Sequence, residues 1–141
     1  MKIVACIKQT FDTEAKIVIG GDGQISGEGV NMILNPYDEY AVEEAIRTKE
    51  KEGGEVVIIT VGGDKAQEAL RYSLAMGADR AILINDPALA NADSYAVSVA
   101  LAKLLSDKEA GFDVIFTGKE AVDDGAAQVP SRLAAKLDIA L

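Results

Sequence analysis

A chain of 141 residues suits one domain, which at this length buries roughly 68–70% of the surface its unfolded form exposes. Acidic side chains number 23 against 14 basic ones, a formal net charge of -9, which argues against a nucleic-acid backbone as the main partner because binding one needs a basic face. Histidine is absent, which removes the commonest general base and metal ligand and with them Ser-His-Asp and Cys-His catalysis and the usual zinc sites.

Lys2 to Ile7 is a compact apolar run rich in β-branched residues and predicts a first strand. It contains the single cysteine, Cys6, read as a small core residue. With no intrachain disulfide possible, a bacterial cytoplasm or an equivalent reducing compartment is the expected home. Met1-Lys2-Ile3-Val4 enters this strand without a signal-peptide layout, and no apolar run approaches the ~18 residues of a membrane span. Lys8 to Asp12 is read as a loop. Lys16 to Leu34 is read as a small hairpin-like excursion, with strands at Lys16–Ile19 and Val30–Leu34 around the turn residues Gly20-Gly21-Asp22-Gly23.

Asn35-Pro36 predicts a helix start, with a side-chain cap followed by proline at the first helical position. Ala41, Val42, Ala45 and Ile46 share that helix's inner face, and Gly53-Gly54 ends it. Glu55 to Val61 is apolar without alternation, as a strand covered on both faces would be. A helix carrying Ala66, Ala69, Leu70 and Leu74 follows, with Asp64 as its expected cap. Ala81–Ile84 predicts a strand, Asp93 caps the next helix, and Asp113–Phe116 predicts the last strand before a helix over 130–137. This alternation predicts an α/β three-layer sandwich with a mostly parallel sheet and right-handed crossovers. Ligands in such folds sit beyond the carboxyl ends of the strands, where strand order reverses.

The stretch Thr117 to Leu137 has the layout of an anion cradle: a strand, a small-residue loop with Gly118 and Gly125, then a helix start with unpaired N–H groups. It is not a P-loop. That motif needs a glycine at position 113, which is Asp113, and Ser or Thr at position 120, which is Glu120. The acids of this loop repel a phosphate, so Glu120, Asp123 and Asp124 are expected to point elsewhere, toward sugar hydroxyls or solvent. Asp123-Asp124 reads as loop solvation or a helix cap in preference to a magnesium site, and Arg71 and Arg132 as surface partners in preference to phosphate ligands. The residues taken alone give an acidic α/β domain for a nucleotide-like anion, with no catalytic residues and no metal site.

Three stretches together resemble a known family: Asn35-Pro36-Tyr37-Asp38-Glu39-Tyr40-Ala41-Val42-Glu43, Leu70 to Asp79, and Gly118 to Asp124. In order and spacing they are similar to the β subunit of electron transfer flavoprotein, of the FixA type, and Val4-Ala5-Cys6-Ile7-Lys8 fits as well. The chain resembles about the N-terminal half of that longer subunit. The resemblance implies an adenine-nucleotide α-hydrolase or universal-stress-protein-like sandwich. It also implies a heterodimer with an α subunit, in which α makes most of the contacts to a redox-active FAD and β holds a structural AMP. Such a dimer carries electrons from acyl-CoA and related dehydrogenases to a quinone-linked oxidoreductase, as in fatty acid oxidation, and β is a carrier subunit and not an enzyme.

Carried over by position, the resemblance implies AMP contacts at Cys6, at Asn35, Pro36, Tyr37 and Asp38, and at Val61. It adds the loop residues Gly118, Lys119, Glu120, Ala121, Val122, Asp123, Asp124, Gly125, Ala126, Ala127, Gln128 and Val129. Electron-bifurcating relatives, with a second FAD in place of AMP, tend to carry Asp-Gly-Asp-Thr in this loop; Asp123-Asp124-Gly125-Ala126 is nearer the AMP type. Val129-Pro130 departs from the Gly-Pro of many relatives. A free-standing nucleotide sensor of the universal-stress-protein kind is the competing reading, and the modest glycine content of the loop counts against it.

Overall fold

The runs at Lys2–Ile7 and Glu55–Val61 are apolar throughout because both of their faces are covered. The computed structural model describes residues 1–141. In chain order its elements are β1 (Lys2–Ile7), β2 (Gln9–Phe11), β3 (Met32–Leu34), α1 (Pro36–Glu52), β4 (Glu55–Val61), α2 (Gln67–Met76), β5 (Arg80–Ile84), α3 (Ser94–Asp107), β6 (Val114–Thr117) and α4 (Val129–Leu137). Four strands form a parallel sheet in the order β5-β4-β1-β6. Ile3 lies between Val56 and Val114, which fixes the register of the two central pairings.

Alternate side chains of the sheet enter two separate cores, as the period-2 geometry of a strand demands. Ile3, Ala5, Ile7, Val56 and Ile58 pack with Val42, Ala45 and Ile46 of α1 and Ala69 and Leu70 of α2. Val4, Cys6, Val57 and Ile59 pack with Leu101, Ala102 and Leu105 of α3 and Leu133 of α4. The result is the expected three-layer sandwich. Each fully buried Val, Leu or Ile contributes about 1.5–3 kcal/mol relative to exposure, so these two layers carry the stability of the fold.

The excursion after β1 is present, but its pairing differs from the sequence reading. Gln9–Phe11, expected as loop, is β2, and it pairs antiparallel with β3. Lys16–Ile19 is not a strand. Its end makes one bridge, Ile19 to Ile25, and Ile17, Val18, Ile19 and Ile25 are exposed. The pairing there stops at that bridge and the flanking bonds from the Gly20 and Ser26 amides, and nothing packs on its β-branched residues to extend it. Asp64 is not a side-chain cap either: it opens a short 3-10 turn, Asp64–Ala66, and its carboxylate accepts from Asn85 Nδ2 at 2.7 Å. Asp93 caps α3 as expected, accepting from the Ala96 amide at 2.9 Å. No helix is long and apolar enough to cross a membrane.

At the amino ends of the strands an ion network ties the sheet together. Arg80 on β5 reaches Glu55 on β4 at 2.6 Å and Glu109 at 2.9 Å, and Lys2 on β1 reaches the same Glu109 at 2.9 Å. The carboxyl ends are left for the loops.

Candidate functional site

Strand order reverses between β1 and β6. The crossovers from β1 to β4 and β4 to β5 run one way, and the crossover from β5 to β6 returns past β1. Loops diverge there and leave a crevice. It holds a cavity of about 330 Å³, lined from β1 (Cys6, Ile7), the segment after it (Lys8), the start of α1 (Asn35, Asp38) and the end of β4 (Val61). The entry to α3 (Ala92, Asp93, Ser94, Val97, Leu101) and the stretch from Thr117 to Pro130 complete the wall.

Asp38 braces the crevice from beneath. It sits in the first turn of α1, buried, and its carboxylate accepts from the Lys8 amide at 2.8 Å and the Gly118 amide at 3.1 Å. One side chain thus joins the ends of the two strands that part at the switch point. Burial pushes its pKa up to about 6, against the opposing pull of those two amides. Gly118 meets α1 so closely that a β-carbon would lie 2.6 Å from the Asp38 nitrogen. Its missing side chain therefore admits the protein's own helix, where the sequence reading assigned that space to a ligand.

Asn35 is correct in place and different in role. No side-chain hydrogen bond caps α1; the Asn35 carbonyl instead accepts from the Asp38 amide at 2.8 Å. Its side-chain amide turns to the loop, donating to the Glu120 carbonyl at 2.9 Å and accepting from the Val122 amide at 3.1 Å. Pro36 at the first helical position has no N–H, so one donor that a cap would serve is missing.

Two acids of the loop, Asp123 and Asp124, are taken up by a partner the sequence did not suggest, while Glu120 and Asp124, expected to point elsewhere, line the cavity. Lys8 Nζ donates to Asp123 at 2.7 Å and Asp124 at 3.1 Å, which strap the loop to the end of β1. Burial lowers the Lys8 pKa, the two carboxylates outweigh it, and the net shift is upward. The Asp124 carboxyl is held low, first by the Ala126 amide and then by Lys8. Arg132 is spent on Gln128 Oε1 at 2.8 Å and lies over the Tyr95 ring.

At the entry to α4 the backbone amides of Ala127, Gln128 and Val129 donate to no group of the chain, and all three residues line the cavity. Ala127 has a positive φ of 53° and Gln128 is right-handed at φ -105°. Successive residues of opposite hand point their N–H groups to one side and form an anion-binding concavity, which the α4 dipole reinforces. The apolar part of the lining is Cys6, Val61, Val97 and Leu101, in the same core layer that Val129 at the start of α4 packs against. Burial, then the charge of Asp38, pushes the Cys6 thiol up to about 12, so it is a neutral part of that wall.

Of the residues expected at the site, Cys6, Asn35, Asp38, Val61, Gly118, Lys119, Glu120, Ala121, Asp124, Ala126, Ala127, Gln128 and Val129 line the cavity together. Five do not. Tyr37 and Val122 turn outward, Asp123 is engaged with Lys8, Gly125 occupies an exposed turn, and Pro36 starts the helix. The sequence reading missed Lys8 as a strap and the whole contribution of α3. The available signal was the Asp93 cap: in a parallel sheet a helix start lies at the carboxyl edge with the other loops.

Comparison with known proteins agrees with this architecture. The Electron transfer flavoprotein domain model matches residues 22–141. The chain is 49% identical over 140 residues to the electron transfer flavoprotein subunit beta of Bacillus subtilis (strain 168), covering 99% of this chain and 53% of that one. It is 50% identical over 135 residues to the subunit of the same name from Syntrophomonas wolfei, covering 95% of this chain and 52% of the relative. It is 41% identical over 142 residues to Protein FixA of Sinorhizobium fredii, covering 99% and 50% respectively. The chain therefore spans about half the length of the curated relatives it matches. A family model that matches residues 22–141 and identities of 41–50% over nearly all of the chain lead to one conclusion: the chain belongs to the electron transfer flavoprotein family.

Proposed function

We propose that this protein acts as the β subunit of a heterodimeric electron transfer flavoprotein and holds AMP in the switch-point cavity. The carrying observation is the pair of unpaired amides at Ala127 and Gln128, turned to one side at the start of α4 in a cavity whose lining is also apolar at Cys6, Val61, Val97 and Leu101. That combination suits a phosphate on the amides and a purine against the apolar lining. A volume of about 330 Å³ stands at the low end for ligand sites, which favours a mononucleotide over a dinucleotide of more than twice its size.

In this reading the chain itself performs no bond chemistry. Cys6, Val61, Val97 and Leu101 form the slot for the base, Ala127 and Gln128 receive the phosphate, and Asp38 and Lys8 keep the surrounding loops in register. FAD, held mainly by the α subunit, supplies the reversible electron uptake. Donors would be acyl-CoA and related dehydrogenases, and the acceptor a quinone-linked oxidoreductase.

The test is the content of the protein purified with its α subunit and denatured by heat. The released material should contain AMP and FAD in equal amounts. Two flavins per dimer and no AMP would reject the nucleotide assignment and point to a bifurcating carrier. Failure to form any flavin-bearing complex with an α subunit would reject the carrier role.

A further inference from the structure

We infer that the Asn35 side-chain amide is the positioning residue for the 118–128 loop, holding it in its binding form whether or not a ligand is present. The motif at Asn35-Pro36 gives no sign of this, since an asparagine before a proline reads as a helix cap. The geometry points elsewhere. Asn35 is 1% exposed, and its two polar atoms are divided between two backbone groups of one loop, at Glu120 and Val122. Buried amides left unpaired cost about 1–3 kcal/mol each, so the side chain and the loop hold each other in one arrangement. The other holds on the loop lie at its ends or on its side chains: Lys8 grips it only through two partly exposed carboxylates, Asp38 only at its first residue and the Ser131 hydroxyl only at its last. Between those ends, Lys119 has a left-handed backbone at φ 72°, a conformation that a non-glycine residue keeps only when its surroundings enforce it.

The consequence for binding rests on the AMP reading. With the loop fixed at Glu120 and Val122, the Ala127 and Gln128 amides are presented before the nucleotide arrives, and little ordering entropy remains to oppose binding. Without that fixation the ligand must itself order the loop.

Hydrogen exchange of the purified protein tests the positioning role without any ligand. In Asn35→Ala the hydrogen-bonded amides of residues 119–125, those of Glu120, Val122 and Gly125, should exchange at least roughly tenfold faster, while those of β1 and β4 keep their protection, because each lost hydrogen bond of about 1.4 kcal/mol is a factor of ten. Val122→Pro deletes the partner N–H from the loop side, at a residue that is 39% exposed, and should open the same segment without touching α1. Unchanged exchange at 119–125 in Val122→Pro overturns the inference, as does loss of protection spread evenly over β1 and β4 in Asn35→Ala with the Val122→Pro loop still closed. Calorimetric titration with AMP then reads the second part. Both variants should bind at least roughly tenfold more weakly than the parent protein. A parent protein that binds no AMP defeats the proposed function while the exchange result still stands, and parent-like affinity in both variants defeats the binding consequence alone.

Discussion

A methyl group on Gly118 would meet the α1 backbone, 2.6 Å from both the Asp38 nitrogen and the Tyr37 carbonyl carbon and against Asp38 Oδ1. Neither side yields easily, since β6 is tied to β1 and the helix start is held by Asp38 itself. Gly118→Ala should therefore lower the unfolding free energy by about 1–3 kcal/mol, read from urea denaturation. Asp38 makes a prediction about pH. Its folded pKa of about 6 lies above the ordinary aspartate value of 3.8, so the folded state holds this proton more tightly than the unfolded state. The associated stability is fully present below about pH 4 and is lost as pH rises through 6, on the order of 2–3 kcal/mol at 1.36 kcal/mol per unit. Denaturation of parent and Asp38→Asn proteins between pH 4 and 7 should show a difference that changes across that window and is flat above it. A difference independent of pH would show that the carboxyl does not titrate there. Both residues are visible in the sequence as a motif. Their contact with each other, 80 residues apart in the chain, follows only from the sheet order that brings β6 beside β1.

Elements were legible wherever burial dictated pattern. The apolar runs of β1 and β4, the helix faces of α1 and α3, Ala69 and Leu70 of α2 and the Asp93 cap follow from periodicities that a two-sided sheet imposes; Leu74, expected on the inner face of α2, is exposed. The excursion was legible as an insertion and misread in detail, because its pairing depends on Gln9–Phe11, three residues with no strand pattern of their own. Charged contacts between elements were not legible. Arg80 and Glu109 lie 29 residues apart and meet only because β5 and the end of α3 share the amino edge of the sheet. Arg80, then Lys2, draws the Glu109 carboxyl down to about 2. A depressed carboxylate contributes stability above its unfolded value near 4.5 that is lost as pH falls toward 2. Arg80→Gln should cost on the order of 1–3 kcal/mol at pH 7, between the worth of exposed and of buried pairs, because Glu109 is buried while Arg80 is partly exposed. That cost should shrink when the same denaturation is run near pH 3. An equal cost at both values would assign the effect to lost packing of the guanidinium stem.

At the scale of the molecule, the two cores are built from opposite faces of one sheet, and the cavity is where both layers reach the same edge. Strand order decided this, and no local pattern encodes it: α3 joins the site only because β6 lies on the far side of β1 from β5. A ligand there touches β1, β4, α1, α3 and α4 at once, so binding should stabilise the fold as a unit and not one loop. AMP at a hundred times its dissociation constant should add about 2.7 kcal/mol to the unfolding free energy and raise the thermal midpoint in a concentration-dependent way. Adenosine, which fills the apolar slot and leaves the Ala127 and Gln128 amides without an anion, should need a much higher concentration for the same shift, since hydrogen bonds to a charged group are worth about 1.5–3 kcal/mol each. Thermal denaturation in a series of each nucleoside separates the cases. Equal shifts from AMP and adenosine would mean that the amides at the start of α4 do not receive the phosphate, and that recognition rests on the apolar wall alone.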